Sequence, residues 1–82
     1  MFVVYVLKSK RNEKRYVGYT SKAAEERLLQ HNAGSNKWTR VNRPFVIVHK
    51  ECFNLKVEAI KREHFLKSGQ GRKYLDSILR TY

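Results

Sequence analysis

Cysteine and proline are almost absent from this sequence. Of its 82 residues, one is cysteine (Cys52) and one is proline (Pro44). A single cysteine cannot form a disulfide within the chain, and no second cysteine is present to complete a zinc site, which excludes disulfide-stapled scaffolds and cysteine-based metal centres. We therefore expect a reduced, cytoplasmic chain in which Cys52 is a small buried hydrophobic residue.

Long apolar segments are absent as well. The apolar opening FVVYVL, six residues at positions 2–7, leads directly into Lys8. Six residues are too few for the core of a signal peptide or for a membrane span, and a β-strand is the better interpretation. No predicted helix combines a wide apolar stripe with a wholly basic face, so we expect no association with a membrane.

Acidic residues are scarce. The chain has seven Asp and Glu residues and eighteen Lys and Arg residues, which gives a formal net charge of +11 and an isoelectric point near 10.2. Dispersed positive charge favours a polyanion as partner, because each neutralised phosphate releases counterions. The composition therefore predicts nucleic-acid binding. A ribosome-like or membrane-surface protein that only binds is the alternative.

What the sequence does contain is enough apolar material for one small core. Apolar residues make up 41% of the chain and include four Phe, five Tyr and one Trp. A chain of this length has room for one hydrophobic core and not for a second. We expect a single domain over residues 1–82, without repeats or low-complexity segments.

The first part of the chain predicts a β-hairpin and a helix. Residues 2–8 are rich in Val and Tyr, and residues 14–18 form a returning strand that ends at glycine. Thr20 and Ser21 supply N-cap chemistry for a helix over residues 22–33, which the following glycine would close.

The second part predicts one strand and two helices. The segment at 34–44 has no periodicity and is interpreted as a long basic loop, whereas FVIVHKECF at 45–53 has the β-branched density of a strand. Asn54 is the predicted N-cap of a helix that runs to about Lys67, and RKYLDSILRTY at 72–82 has helical spacing. The predicted fold is α+β, in the order ββαβαα, with a small, mainly antiparallel three-stranded sheet flanked by helices.

The first helix carries two cations at the margin of its apolar face. Arg27 and His31 are four residues apart, beside the face marked by Ala24 and Leu28. Cations at such a margin can extend to water, and they can also form an anion site. The spacing leaves both interpretations open.

The second helix carries a carboxylate on the side that should face the sheet. Glu63 falls between apolar positions of this helix, and a carboxylate there requires a partner. An ion pair with Arg27 or Lys67 would satisfy it, as would a hard cation such as Mg²⁺. His64 points about 100° away, so a His64–Glu63 metal pair is not expected.

These positions together resemble the GIY-YIG nuclease superfamily, and within it the small domains related to the N-terminal nuclease domain of the UvrC excinuclease subunit. VVY at 3–5 stands where the family has Gly-Ile-Tyr, and YVG at 16–18 stands where it has Tyr-Ile-Gly. Arg27 in EERLLQHNAG matches the arginine of the family's following helix, and Glu63 in EAIKREHFLK matches its metal-binding glutamate. The similarity covers nearly the whole chain.

The chain departs from the family pattern at two places. Val3 replaces the glycine of the first motif, and the asparagine that many members carry after the metal-site helix has no counterpart in SGQGRKYL at 68–75. The first difference concerns backbone packing, and the second concerns the site itself.

The resemblance implies a metal-dependent phosphodiester hydrolase. Glu63 would hold one divalent ion, Mg²⁺ or Mn²⁺, and Arg27 would brace the phosphate with its planar donors. His31 would add a hydrogen bond or a proton transfer. Tyr5 and Tyr16 would face each other across the hairpin, with Tyr5 orienting or deprotonating the attacking water. A base role requires nearby cations to lower the pKa of that phenol.

Cationic and aromatic side chains around these positions predict further contacts with nucleic acid. They are Tyr19, Lys22, Lys37, Trp38, Arg40, Arg43 and Lys67. For Tyr19 and Lys22 the alternative is a solvated helix start, and for Trp38 it is packing on the core.

The leading functional hypothesis is therefore an endonuclease that acts on DNA, with branched or damaged structures favoured over long specific sequences, because no helix presents a distinct row of base-reading residues. The first alternative is a non-catalytic nucleic-acid-binding module on the same scaffold. The second is an adaptor whose basic face binds acidic proteins. The sequence leaves open whether the substrate is DNA or RNA. It also leaves open whether a homo-oligomer or a partner protein supplies specificity.

Overall fold

A three-stranded antiparallel sheet forms the centre of the molecule. The computed structural model describes residues 1–79. Its elements, in chain order, are β1 (Phe2–Ser9), β2 (Arg15–Thr20), α1 (Ala24–Asn32), α2 (Lys37–Asn42), β3 (Phe45–Phe53), α3 (Lys56–Lys67) and α4 (Gly69–Leu79). The strand order is β2-β1-β3, and both pairings are antiparallel. The predicted α+β fold is confirmed.

Strand β1 is buried on both faces of the sheet, which explains its nearly continuous apolar sequence. On one face, Val4 and Val6 join a cluster that includes residues of α3 and α4. On the other face, Tyr5 and Leu7 pack with Ala24 of α1. The sheet therefore separates two small cores, and Tyr5 lies in the one that α1 covers.

Helices α3 and α4 approach each other closely at Gly71. A Cβ atom at Gly71 would lie 2.5 Å from Cα of Leu66 and would also meet the carbonyl oxygen of Phe65. Ser68 separates the two helices, and its hydroxyl accepts a hydrogen bond from the Gly71 N–H at 3.1 Å. Gly71 is thus a contact point between helices and not only a helix breaker.

The predicted basic loop contains a short helix. Asn36 caps α2, since its side chain accepts a hydrogen bond from the Thr39 N–H at 2.8 Å and the Thr39 hydroxyl accepts one from the Asn36 N–H at 3.1 Å. The prediction of a loop was wrong here because six residues are too few to show a helical period, whereas a reciprocal cap stabilises even one and a half turns.

Both predicted N-caps were wrong. Thr20 belongs to β2, Ser21 lies before the helix without capping it, and α1 begins after Ala23, which has no side chain that could cap. Likewise α3 begins after Leu55 and not after Asn54. Packing against the sheet fixes these helix starts in preference to the local capping signals.

Two further expectations need correction. Cys52 is exposed, because it lies near the end of the edge strand β3, where burial alternates along the chain. The last helix begins at Gly69 and not at 72, and residues 80–82 of the predicted helix lie outside the described residues. No helix among residues 1–79 is long and apolar enough to cross a membrane.

Candidate active site

The two tyrosines of the predicted motifs lie side by side on the α1 face of the sheet. Their ring centroids are 6.4 Å apart, with an interplanar angle of 26°. Gly18, directly opposite Tyr5 in the register, makes this possible, since a Cβ atom there would lie 2.6 Å from the Tyr5 hydroxyl oxygen and 3.1 Å from Tyr16 Cε1. The prediction that Gly18 ends the strand was wrong. Gly18 lies within β2 and leaves room for the phenols.

The hydroxyl group of Tyr5 joins Arg27 and His31. Tyr5 is 1% exposed, and its hydroxyl oxygen lies 3.4 Å from Arg27 Nε and 3.1 Å from His31 Nε2. A guanidinium group can only donate, so the phenol oxygen accepts from Arg27 and its own proton is free to bond the unprotonated Nε2 of His31. The sequence predicted these residues as separate contacts, and the structure brings them together in one hydrogen-bonded unit.

That arrangement assigns the tautomer of His31. If Nε2 accepts from Tyr5, the proton of the neutral ring sits on Nδ1, which is buried and has no hydrogen-bond partner in the described part of the chain. The opposite tautomer would leave both the Nδ1 lone pair and the Tyr5 proton unpaired. The first tautomer leaves fewer buried groups unsatisfied and is therefore favoured.

Burial keeps both groups neutral. Desolvation raises the pKa of Tyr5 above its ordinary value of 10.0, and this outweighs the opposing effect of the Arg27 hydrogen bond. Desolvation also lowers the pKa of His31 below 6.5, and the Arg27 charge acts in the same direction. The lowered phenol pKa required for a free phenolate base is therefore absent, and the phenol is paired with a neutral imidazole instead.

An aromatic series extends from this unit to the surface. The ring of Tyr16 lies 4.6 Å from that of His31 and 5.5 Å from that of Trp38, centroid to centroid. Trp38 also stacks on Phe45 at 5.6 Å and remains 36% exposed. Helix α2 therefore packs Trp38 against the core, as the alternative interpretation predicted, and leaves part of the indole accessible.

Arg27 has a positive charge that no carboxylate neutralises among residues 1–79. Its guanidinium group donates to the side-chain oxygen of Gln30 and to the hydroxyl of Tyr5, both uncharged acceptors. The predicted ion pair with Glu63 is not formed. A partly buried guanidinium held in this way is suited to bind a phosphate.

Glu63 forms the other predicted ion pair. One carboxylate oxygen lies 3.5 Å from Lys67 Nζ, the other lies 3.9 Å from His64 Nε2, and the side chain is 12% exposed. The carboxylate is close enough to contribute to the raised pKa of Tyr5, although less than burial does. Glu63 therefore borders the hydrogen-bonded unit electrostatically without a direct contact to it.

Glu63 is the one predicted metal ligand at this site. Residues 1–79 contain no group of three or more His, Cys, Asp and Glu side chains that could hold a metal. Glu63 is thus a single carboxylate with only long contacts to neighbouring cations. This fits Mg²⁺, which keeps several waters and is held by one or two carboxylates together with phosphate oxygens. It does not fit a closed structural metal centre.

Two depressions flank these residues. A pocket of about 360 Å³ is lined by Arg27 together with the predicted contacts Tyr19 and Lys22, and also by Phe2, Gln30 and Lys56. A groove of about 880 Å³ is lined by Tyr16, Trp38 and Lys67, by the further cations Lys14, Arg15 and Arg72, and by one carboxylate, Glu13. Lys14, Lys56 and Arg72 were not predicted, because the tertiary fold brings them there from the β1–β2 turn, from α3 and from α4.

The remaining predicted contacts lie apart from both depressions. Lys37, Arg40 and Arg43 are exposed. The Arg43 guanidinium donates to the Asn32 carbonyl oxygen at 3.4 Å, and the Arg40 side chain packs where a Cβ atom at Gly34 would be. These three cations remain surface charges near α2, and none of them lines the pocket or the groove.

Comparison with known proteins identifies the family of this chain. The family model described as the GIY-YIG catalytic domain matches residues 1–75. A UPF0213 protein of Staphylococcus haemolyticus is 41% identical over 76 residues, which cover 92% of this chain and 90% of that protein. A UPF0213 protein of Natronomonas pharaonis is 46% identical over 66 residues, which cover 79% of this chain and 75% of that protein.

A solved structure agrees with the fold. The solution NMR structure of a UPF0213 protein from Bacillus halodurans superposes with a TM-score of 0.56 at 33% identity, and the match covers 95% of this chain and 85% of that one. Sequence motifs, fold and site geometry lead to the same conclusion: the chain belongs to the GIY-YIG nuclease superfamily, in a branch with the UPF0213 proteins.

Proposed function

We propose that this protein is a metal-dependent endonuclease that hydrolyses phosphodiester bonds in DNA, with a preference for DNA structure or damage over sequence. The observation that carries the proposal is the Arg27 guanidinium, which has no carboxylate partner among residues 1–79 and is held against the buried Tyr5 hydroxyl. A cation in that position can stabilise the extra negative charge that a phosphate gains when water attacks it.

Each residue of the site has its own role in the proposed reaction. Arg27 binds and orients the phosphate, and Tyr16, which lines the groove, orients the attacking water. The water gives a proton to the Tyr5 oxygen as Tyr5 passes its own proton to Nε2 of His31. Because His31 is neutral at pH 7, it can accept that proton.

Glu63 is the residue that would hold the divalent ion. When bound, such an ion supplies charge neutralisation at the phosphate and at the leaving oxygen. The carboxylate would exchange its contact with Lys67 for the ion, which frees Lys67 at the groove to contact a neighbouring phosphate. Family membership supports dependence on a divalent ion, and the oxygen donor favours Mg²⁺ or Mn²⁺.

A non-catalytic nucleic-acid-binding module is the second candidate. One observation favours it, namely that Lys67 already lies 3.5 Å from Glu63 and partly satisfies the carboxylate. In that case the groove and Arg27 would bind nucleic acid without cleaving it.

The test is cleavage of supercoiled plasmid and of branched, nicked and single-stranded DNAs and RNAs with Mg²⁺ and with Mn²⁺. Glu63→Gln should reduce nicking at least about 100-fold while DNA affinity is retained, because one metal ligand is lost and the fold is kept. Glu58→Gln, an exposed carboxylate on the same helix, is the matched control and should leave the rate unchanged. DNA binding without cleavage across all substrates and metals would establish the binding module instead.

A further inference from the structure

The pocket of about 360 Å³ opens beside Arg27 and has no assigned function. Its lining comes from distant parts of the chain, because Phe2 begins β1, Tyr19 lies in β2 and Lys56 begins α3. Arg27 is shared between the pocket and the hydrogen-bonded unit around Tyr5. Whatever occupies the pocket therefore lies next to the phosphate that Arg27 is proposed to bind.

The charge of the lining is of one sign. Lys22, Arg27 and Lys56 line the pocket, and no carboxylate from the described part of the chain does. None of the three forms an ion pair within residues 1–79. Three cations around one depression repel each other, and an anion bound between them relieves that repulsion and gains charge-assisted hydrogen bonds. The pocket thus favours an anionic ligand, such as a phosphate group.

The lining also includes two aromatic rings. Phe2 and Tyr19 are partly buried and pack against the α3 face of the sheet, which holds them in place. Aromatic rings next to cations are the usual combination in sites that bind single-stranded nucleic acid, where a base stacks on the ring and lysines contact the backbone. A pocket that needed to bind only inorganic phosphate would not require this apolar wall.

The volume limits the ligand to one nucleotide unit. At about 360 Å³ the pocket lies at the lower end of the range of pockets that hold small organic ligands, about 300–1,000 Å³. A base can enter such a pocket only when it is unpaired, because a paired base is held inside the helical stack.

We propose that this pocket binds one unpaired nucleotide adjacent to the phosphate at Arg27, with Lys22 and Lys56 contacting its phosphate and Tyr19 stacking on its base. The inference rests on the proposed function for the position of the scissile phosphate. It narrows the substrate class to strands that carry an unpaired nucleotide at the cleavage site, as in flaps, bulges and single strands.

The experiment measures DNA binding by fluorescence anisotropy, in the Glu63→Gln background so that no substrate is cleaved. The probes are a perfect duplex, the same duplex with a short flap, and a single strand of equal length. Lys56→Ala is compared with Lys61→Ala, which removes the same charge from an exposed position of the same helix that does not line the pocket. Tyr19→Leu is compared with Tyr19→Phe, which keeps the ring.

Lys56→Ala should weaken binding to the flap and the single strand about three- to tenfold more than Lys61→Ala does, with no such difference on the perfect duplex. Tyr19→Leu should cost about tenfold on the same two probes, since one base stack is lost, and Tyr19→Phe should have little effect. Circular dichroism of each variant separates loss of the site from loss of the fold. Equal losses for Lys56→Ala and Lys61→Ala, or equal effects on all three probes, would overturn the inference.

The two proposals fail in different ways. If the wild-type protein cleaves DNA but Lys56→Ala behaves as Lys61→Ala does, the endonuclease proposal stands and the nucleotide pocket is rejected. If the wild-type protein cleaves nothing and the selective loss on unpaired probes persists, the pocket stands as a binding site and the endonuclease proposal is rejected.

Discussion

The hydroxyl group of Tyr5 connects a surface cation to a buried imidazole. It accepts from Arg27 and donates to His31, so it fixes the direction of the guanidinium and the tautomer of the ring at once. In the proposed mechanism, a phenol with these two partners would both position Arg27 and carry a proton to His31. Turnover and affinity should respond differently to loss of this hydroxyl group, because Arg27 is also held by Gln30.

Tyr5→Phe should reduce the rate of DNA nicking about 100-fold or more, because the path for the proton to His31 is lost. Affinity for DNA should change by less than about threefold, since Arg27 keeps its hydrogen bond to Gln30. Single-turnover cleavage and anisotropy on the same substrate give the two numbers. Tyr74→Phe, which removes the phenol of an exposed tyrosine on α4, is the control. Unchanged turnover in Tyr5→Phe would remove Tyr5 from the proton path.

His31 should make the protein less stable as the pH falls below 6.5. Burial and the Arg27 charge lower the pKa of His31 in the folded state below 6.5, its ordinary value in the unfolded chain. Between the folded-state pKa and 6.5, the unfolded state therefore binds a proton that the folded state does not. The contribution of neutral His31 to the free energy of unfolding is therefore fully present above pH 6.5 and decreases as the pH drops below that value. Urea unfolding at about pH 7.5 and pH 5 measures it. His31→Gln, which cannot titrate, should lose less stability over this interval, and an equal loss would contradict the assignment.

At the scale of secondary-structure elements, α3 is the helix whose orientation matters most for the proposed function, because it carries the proposed metal ligand Glu63. Arg62 anchors it to β3, with Nε 2.7 Å from a carboxylate oxygen of Glu51. Burial of Glu51 opposes its ionisation, but hydrogen bonds from Arg62 and His49 outweigh this and lower its pKa below 4.5. His49, on the same strand, is thus part of a hydrogen-bond network, with its Nε2 2.7 Å from a carboxylate oxygen of Glu51.

Helix α4 supports α3 from the other side through the contact at Gly71. Gly71→Ala should lower the free energy of unfolding by about 2 kcal/mol, since the new methyl group meets the backbone of Phe65 and Leu66 and the helices must separate. The rate of DNA nicking should also decrease, because separation of α3 from α4 would displace Glu63. Urea denaturation and the plasmid assay measure the two effects.

Gly69→Ala is the matched control for this prediction. Gly69 lies in the same helix, and a Cβ atom there would have no neighbour within 4 Å. Its replacement should be neutral or stabilising by up to about 1 kcal/mol, because alanine reduces the freedom of the unfolded chain. Equal destabilisation by the two variants would show that helix propensity, and not the close approach of α3 and α4, determines the effect.

At the scale of the whole molecule, the chain has a net charge of +11, and the extents of the protein along its principal axes are about 31 × 27 × 20 Å. The pocket and the groove concentrate cations on either side of Arg27 and Tyr16, so a bound strand would contact phosphates in both. If the protein neutralises about four phosphates, its affinity for DNA should fall about 100-fold when the salt concentration rises from about 50 to about 200 mM. Anisotropy titrations over a series of KCl concentrations test this. A change of less than about threefold would favour the adaptor that binds acidic proteins.

Local sequence patterns predicted the elements that carry the motifs but not all of their ends. The hairpin, α1, β3 and α3 follow from apolar spacing and β-branched density, and the inward position of Glu63 follows from the helical phase. The cap signals of Thr20 and Asn54 were misleading because contacts with the sheet fix where α1 and α3 begin. Helix α2 was too short to show a period.

The sequence by itself determined the charge and the order of the three strands and the three longer helices, since these depend on composition and on neighbours along the chain. The single domain and the residues that bear chemistry stay predictions. Only the tertiary structure decided that the Tyr5 hydroxyl would be buried between Arg27 and His31, with its pKa raised and not lowered. It also decided that Lys56 would join Lys22 and Tyr19 in one pocket. Desolvation and the meeting of distant residues both depend on how the layers pack, and no local spacing contains that information.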